Sequence, residues 1–173
     1  ALADEGVRRF AVATVPEGIE LREAGVEGTV LVFAAPLPEY LSAYEQYGLD
    51  VVVSSPEVAA AVRQRGGGLR AHVKVDTGMH RIGLAPETAA ATIRELKAAS
   101  GVTVEAVWTH LATADAADPG FVLEQVRRFD GVLRDLGDDA PPYVHVANGP
   151  AVVRLPRLTS RPALARLGGV LYG

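Results

Sequence analysis

The chain is 173 residues long, 49% apolar and 22% charged, with a net charge of −4 and no cysteine. This length holds one domain with a real core, and the composition excludes disorder, collagen-like repeats and a coiled coil. No basic run points to nucleic acid, no apolar run reaches the roughly 18 residues a membrane helix needs, and disulfides and thiolate chemistry are ruled out.

The opening ALADEGVRRF has neither the basic start nor the apolar stretch of a signal peptide, and it lacks an initiating Met. The natural N-terminus is therefore expected elsewhere. Seven short runs rich in Val, Ala and aromatics predict strands at residues 10–15, 29–34, 50–55, 70–76, 103–111, 143–148 and 165–173. Helix signals lie between them. Pro36 and Pro38 open a segment with Tyr40, Leu41 and Tyr44. Ser55, Pro56 and Glu57 read as an N-cap, a proline at the first helical position and an acid near the positive helix end. Gly66, Gly67 and Gly68 stop that helix before the fourth strand. Val122, Val126, Phe129, Leu133 and Leu136 alternate spacings of four and three, which is one apolar helix face.

This alternation predicts an α/β fold with a parallel sheet. Two architectures compete: a doubly wound open sheet and a (β/α)8 barrel of the TIM type. Length favours the open sheet, because a barrel needs eight strands and about 250 residues. The fourth strand argues for the barrel. It places Arg70, His72, Lys74 and Asp76 on one face and Ala71, Val73 and Val75 on the other. Central strands of an open sheet are apolar on both faces, whereas a barrel strand can turn a polar face into the lumen.

The stretch KVDTGMHRIG, from Lys74 to Gly83, is the most informative for chemistry. A lysine inside a strand is costly to bury unless paired, and Asp76 on the same face can be its partner. Arg81 follows the strand, where its fork can meet a carboxylate or phenolate oxygen. The plainer reading is a core ion pair and a surface arginine. His110, in WTHLATAD, ends the fifth strand, where an imidazole can stack on a ring or shuttle a proton. It can equally be a satisfied core residue, and that reading is stronger for His72 and His145. The four histidines fit no short metal-ligand spacing, so no metal is expected. Gly168 and Gly169 can bring backbone N–H groups close to an anion, although Gly-Gly is often only a turn. Gly149, after Asn148, is a weaker signal of the same kind.

Taken together, KVDTGMHRIG, WTHLATAD, HVANGPA and RLGGVLYG resemble, in order and spacing, the signature segments of the alanine racemases. FAVATVPEGIELREAG is similar to the family's second strand and the helix after it. The resemblance covers essentially the whole chain. It implies an incomplete (β/α)8 barrel over residues 1–173, with strands 2–8 present and strand 1 missing. It also implies fold-type III chemistry with pyridoxal 5'-phosphate.

By the same resemblance, Arg166 meets the cofactor's pyridine nitrogen, and Arg81 contacts its phenolic oxygen and lies near the substrate. Lys74 matches a carbamylated lysine that orients Arg81. His110 lies against the ring, with Asn148 as its neighbour on the next strand. Gly168 and Gly169 match backbone phosphate contacts. Gly149 departs from the family, which usually has a phosphate-binding serine there.

Only Lys74 and Lys97 are lysines, and neither sits where the family places its Schiff-base lysine. That lysine is expected on a strand before Ala1, and a C-terminal β-domain with a tyrosine base after Gly173. The implied function is a bacterial, cytoplasmic isomerase that interconverts L- and D-alanine, feeding D-alanine and peptidoglycan precursor synthesis. The implied assembly of the full-length protein is a homodimer, with the isolated chain inactive and neither nucleic acid nor membrane as a partner. The alternatives are another enzyme on the same barrel, such as a broad-specificity amino-acid racemase, and a non-catalytic phosphate-binding module. A decarboxylase is disfavoured, since it needs a stronger electron sink than an arginine at the ring nitrogen allows.

Overall fold

The structure is a computed structural model that describes residues 2–155, 158 and 163–172. It contains seven strands among the described residues, each followed by a helical segment. In chain order these are β1 (Arg9–Val12), α1 (Val15–Glu23), β2 (Thr29–Val32), α2 (Leu41–Tyr47), β3 (Asp50–Val53), α3 (Pro56–Arg65) and β4 (Leu69–Lys74). There follow α4 (Pro86–Ala98), β5 (Val102–Trp108), α5 (Gly120–Leu136), β6 (Tyr143–Asn148), α6 (Gly149–Arg154) and β7 (Leu164–Arg166). This is the βα repeat of a (β/α)8 barrel, carried through seven strands.

The chain divides into two compact units. The first comprises Ala1–His72 and Glu95–Val104. In it β1, β2, β3 and the start of β4 are neighbours in sequence order. β1 pairs with β2 in parallel from Arg9↔Thr29 to Val12↔Val32. Val30, Val32, Val51, Val52 and Val53 are fully buried, as β-branched residues of a parallel sheet should be. The polar face of the fourth strand is interior too. Buried Asp50 accepts hydrogen bonds from Arg70 Nε at 2.8 Å and pairs with His72 Nε2 at 3.0 Å. His72 is thus a satisfied core residue. Ser55 caps α3 as read, accepting from the Val58 N–H at 3.2 Å.

The second unit comprises Val73–Arg94 and Glu105–Gly173. Here the end of β4, then β5, β6 and β7 lie side by side. β5 pairs with β6 from Ala106↔Tyr143 to Trp108↔His145, and β6 with β7 at His145↔Leu164 and Asn148↔Arg166. The apolar face of α5 is buried at all five positions the spacing marks: Val122, Val126, Phe129, Leu133 and Leu136.

Several predicted strands run too far at their C-terminal ends. The first stops at Val12, because Thr14 and Glu17 form a capping box that starts α1 at Val15. The fifth stops at Trp108 rather than Leu111. The last is only Leu164–Arg166; Gly168 then turns the chain into a 3-10 turn over Gly169–Leu171, and Gly173 lies outside the described residues. No helix among the described residues is long and apolar enough to cross a membrane.

Candidate active site

The residues singled out for chemistry all belong to the second unit. The end of β4 begins the arrangement. Val75 N donates to Trp108 O at 2.8 Å, Leu84 N to Lys74 O at 2.8 Å and Asp76 N to Leu84 O at 2.8 Å. These bonds close the segment 76–84 into a loop that returns to its own strand. Inside it, Asp76 Oδ1 accepts from the N–H groups of Gly78, Met79 and His80 at 2.9–3.1 Å. Burial alone would raise the Asp76 pKa. The three N–H bonds, with Lys74 nearby, outweigh it and hold the carboxyl below its usual range.

Gly83 closes the loop at φ +134, and a Cβ there would stand 2.6 Å from Asp76 N. Both strain and clash follow, so Gly83→Ala is expected to cost about 2 kcal/mol in urea unfolding. Arg81 stands exposed on this loop and makes no hydrogen bond or ion pair among the described residues.

Lys74 is fully buried, yet Asp76 is not its hydrogen-bonding partner. Its Nζ donates to the Ile82 carbonyl and lies 5.3 Å from the centre of the Trp108 ring. The expected Lys74–Asp76 ion pair is therefore corrected: the Asp76 carboxylate is taken up by the backbone of its own loop, and it acts on Lys74 only through space. Burial, reinforced by the charges of Arg81 and Arg166 and opposed by Asp76, lowers the Lys74 pKa to about 8.

Arg166 is the hub. Its Nη2 donates to Thr109 O at 2.9 Å and Val146 O at 3.2 Å. Its Nη1 lies 3.1 Å from His145 Nδ1, and Nη2 lies 3.4 Å from His110 Nδ1. The guanidinium also sits 4.9 Å from the Trp108 ring, which stacks on His145 at 5.2 Å. Guanidinium has no acceptor, so both Nδ1 atoms must accept. His110 is then neutral with its proton on Nε2. Burial, then the charges of Arg166, Arg81 and Lys74, drive the His110 pKa down to about 4. Desolvation brings Arg166 itself to about 10, still fully charged at neutral pH. Its Nε–H has no partner among the described residues.

Asn148 caps α6 by accepting from Ala151 N at 3.3 Å, and its Nδ2 donates to Leu111 O at 3.1 Å. That bond ties it to the residue after His110. Gly149 is buried at the start of α6, with a Cβ position 3.4 Å from Val170. Gly168 and Gly169 are exposed, and nothing lies within 4 Å of where their Cβ atoms would be. Packing does not require glycine at these two positions; what glycine leaves there is open backbone.

The structure thus gathers Lys74, His110 and Arg166, with Arg81 close enough for its charge to act on Lys74 and His110. Three participants escape the sequence. His145 reads as core from the local pattern, Trp108 is not singled out by it, and Gln125 sits on the apolar face of α5. Only the register of β5, β6 and β7, which puts His145 beside the strand of Arg166, reveals their place.

Comparison with known proteins covers the whole chain. The family model described as alanine racemase, N-terminal domain, matches residues 1–173. The chain belongs to this family. It is similar to the alanine racemase of Carboxydothermus hydrogenoformans, at 39% identity over 100% of this chain and 48% of that protein. It superposes on the structure of Clostridium difficile 630 alanine racemase in complex with cycloserine with a TM-score of 0.93, at 30% identity, over 99% of this chain and 49% of that one. A histidine racemase from Leuconostoc mesenteroides subsp. sake gives a TM-score of 0.87 at 28% identity, over 97% of this chain and 46% of that one. The chain spans about half the length of the relatives it matches. The alanine racemase N-terminal fold is an incomplete (β/α)8 barrel here, and the doubly wound alternative falls away.

Proposed function

We propose that this chain is the cofactor-holding barrel part of a pyridoxal 5'-phosphate-dependent racemase that interconverts L- and D-alanine. The observation that carries the reading is Arg166: a permanent cation seated against the Nδ1 atoms of His110 and His145, with its Nε–H unpartnered among the described residues. That donor set fits an aromatic nitrogen that must accept a hydrogen bond without gaining a proton.

When bound, the cofactor supplies the electron sink that makes the α-proton of an amino acid removable. The chain's residues then have separate tasks. Arg166 would hold the pyridine nitrogen and, because guanidinium does not release its proton, would keep that nitrogen unprotonated. An unprotonated ring would be a weaker electron sink, which suits racemisation better than transamination. His110, held neutral, would support the ring without adding charge. Arg81 would bind the phenolic oxygen and orient the substrate. The N–H groups of Gly168 and Gly169, with Gly149, would hold the phosphate by backbone alone. Asn148 holds the His110 segment through Leu111. Lys74, once carbamylated, presents a carboxylate that orients Arg81. On this reading the Schiff-base lysine and the bases on the two faces of Cα come from the rest of the protein, which works as a homodimer.

The test uses the full-length protein that carries this chain. It is expected to racemise L-alanine, followed by circular dichroism. Borohydride reduction with pyridoxal phosphate is expected to label a lysine outside residues 1–173. Labelling concentrated on Lys74, or no racemisation, would sink the proposal. The fold it shares with a histidine racemase favours one second reading, a broader or different substrate. Relative rates on L-alanine, L-serine and L-histidine separate the two.

A further inference from the structure

Gln125 is fully buried on α5. It lies three residues after Val122 and four before Phe129, on the apolar face of that helix. An apolar side chain would pack there at no polar cost, whereas a buried amide is stabilising only if its groups are bonded. Those of Gln125 are. Its Oε1 accepts from Ala112 N at 2.9 Å. Its Nε2 donates to His110 O at 3.1 Å and to Thr77 Oγ1 at 3.3 Å.

Strand β5 ends at Trp108, and the backbone of residues 110–112 has no strand partner among the described residues. The amide of Gln125 stands in for one, offering an acceptor and a donor to the N–H and C=O of residues two apart, as the peptide group of a neighbouring strand does. The Leu111 carbonyl between them is taken by Asn148 Nδ2. The same amide reaches Thr77, whose hydroxyl lies 2.8 Å from Thr109 Oγ1, and Thr109 Oγ1 donates to Val75 O at 2.9 Å. Arg128 Nη1 adds a bond to Thr77 O at 3.1 Å. One side chain therefore touches both segments of interest: the one carrying His110 and the loop carrying Arg81.

We infer that Gln125 is a positioning residue, which locks residues 110–112 and the Thr77 end of the Arg81 loop to each other and so aims the His110 ring at Arg166. Its importance for catalysis rests on the cofactor reading above; its action on His110 does not. The charged groups facing His110 are Arg166 on β7, Arg81 on the loop and Lys74 on β4. Around the Gln125 amide lie the uncharged hydroxyls of Thr77 and Thr109, and the one charged group beyond them is Arg128.

The test uses the cofactor-free full-length protein as wild type, Gln125→Met and Gln125→Glu. In the wild type the Ala112 amide is expected to exchange slowly. In Gln125→Met that exchange accelerates about tenfold, and the NMR titration of His110 moves up from about 4 toward 6.5. Gln125→Glu, while its buried carboxyl is protonated, keeps one donor and one acceptor. It is expected to behave like wild type at low pH; once it ionises it still accepts from Ala112 N but no longer donates to His110 O or Thr77 Oγ1, so the His110 titration moves while the Ala112 amide stays protected. A residue that serves only packing would lower the unfolding midpoint and leave His110 unmoved. That outcome overturns the inference, as does a wild-type Ala112 amide exchanging as fast as exposed Ala117. If the Met variant does not fold, the wild-type amide and the pH dependence of the Glu variant decide. Pyridoxal phosphate binding by the wild type is measured separately, so failure of the cofactor reading shows as lost binding with these signals intact.

Discussion

Arg166→Ala in the full-length protein is expected to reduce L-alanine racemisation by about a hundredfold or more and to lower stability by about 3 kcal/mol. The stability loss follows from what the guanidinium leaves behind. The carbonyls of Thr109 and Val146 and the Nδ1 of His145 each lose a donor in a site with little water. One unsatisfied acceptor costs about 1–3 kcal/mol, and partial relaxation keeps the sum for the three near its lower end, about 3 kcal/mol. The activity loss follows from removing the fixed donor proposed to hold the cofactor ring and keep its nitrogen unprotonated, a change of about 10²–10³ in rate. Arg166→Lys keeps the charge but cannot fork onto two carbonyls and an imidazole at once, so it is expected to recover part of the stability and little of the rate.

The variant also has a pH signature. His110 has a depressed pKa of about 4 in the folded chain against 6.5 as its ordinary value. Between those values the unfolded chain binds more protons, so stability rises with pH through that window and falls as pH drops. Burial is the larger cause of the depression and remains, but the Arg166 contribution goes. The acid sensitivity of Arg166→Ala should therefore be shallower than that of wild type, measured by urea unfolding from pH 4 to 7. A curve as steep as wild type would mean that Arg166 does not act on His110.

What the sequence reveals and hides follows from range. The capped start of α3 at Ser55 and the apolar face of α5 depend on neighbours within one or two helical turns, so spacing shows them. The alternation in β4 exposes a polar face, and its burial at His72 and Lys74 follows once a sheet forms around it. The partners on that face are not local. Asp76 sits two residues from Lys74 and invites a pairing, but the loop after β4 offers its carboxylate three N–H groups at no entropic cost beyond closing the loop. His145, Trp108 and Gln125 become part of the site through strand register and the packing of α5, neither of which leaves a trace in spacing. Resemblance supplies roles for Arg166 and His110, whereas the contact between them is a fact of the fold alone.

Lys74 gives the second large effect, and its sign is opposite to that of most buried charges. With its pKa lowered from 10.5 to about 8, the folded chain disfavours the ammonium form. Below pH 8 both folded and unfolded chains carry the proton, and the folded chain bears the whole penalty of burying it. Between pH 8 and 10.5 the unfolded chain binds more protons, so wild-type stability rises with pH. Lys74→Met keeps the length and removes the charge. It is expected to be more stable than wild type at pH 7 by about 2 kcal/mol in CO2-free buffer, with the gap closing as pH passes 10.5. A Met variant less stable than wild type at pH 7 would show that the bond to Ile82 O and the Trp108 contact outweigh desolvation. The same lowered pKa leaves a substantial neutral fraction at pH 8, and a neutral amine attacks CO2, forming an N–C bond and releasing a proton. The product is an anion near Arg81 and Arg166, whose charges oppose the ammonium and favour the carbamate. With 13C-bicarbonate at pH 8, a carbamate carbon signal is expected in wild type and absent in Lys74→Met. Adding bicarbonate should then narrow the stability gap between the two, because only wild type gains by binding CO2 in the folded state.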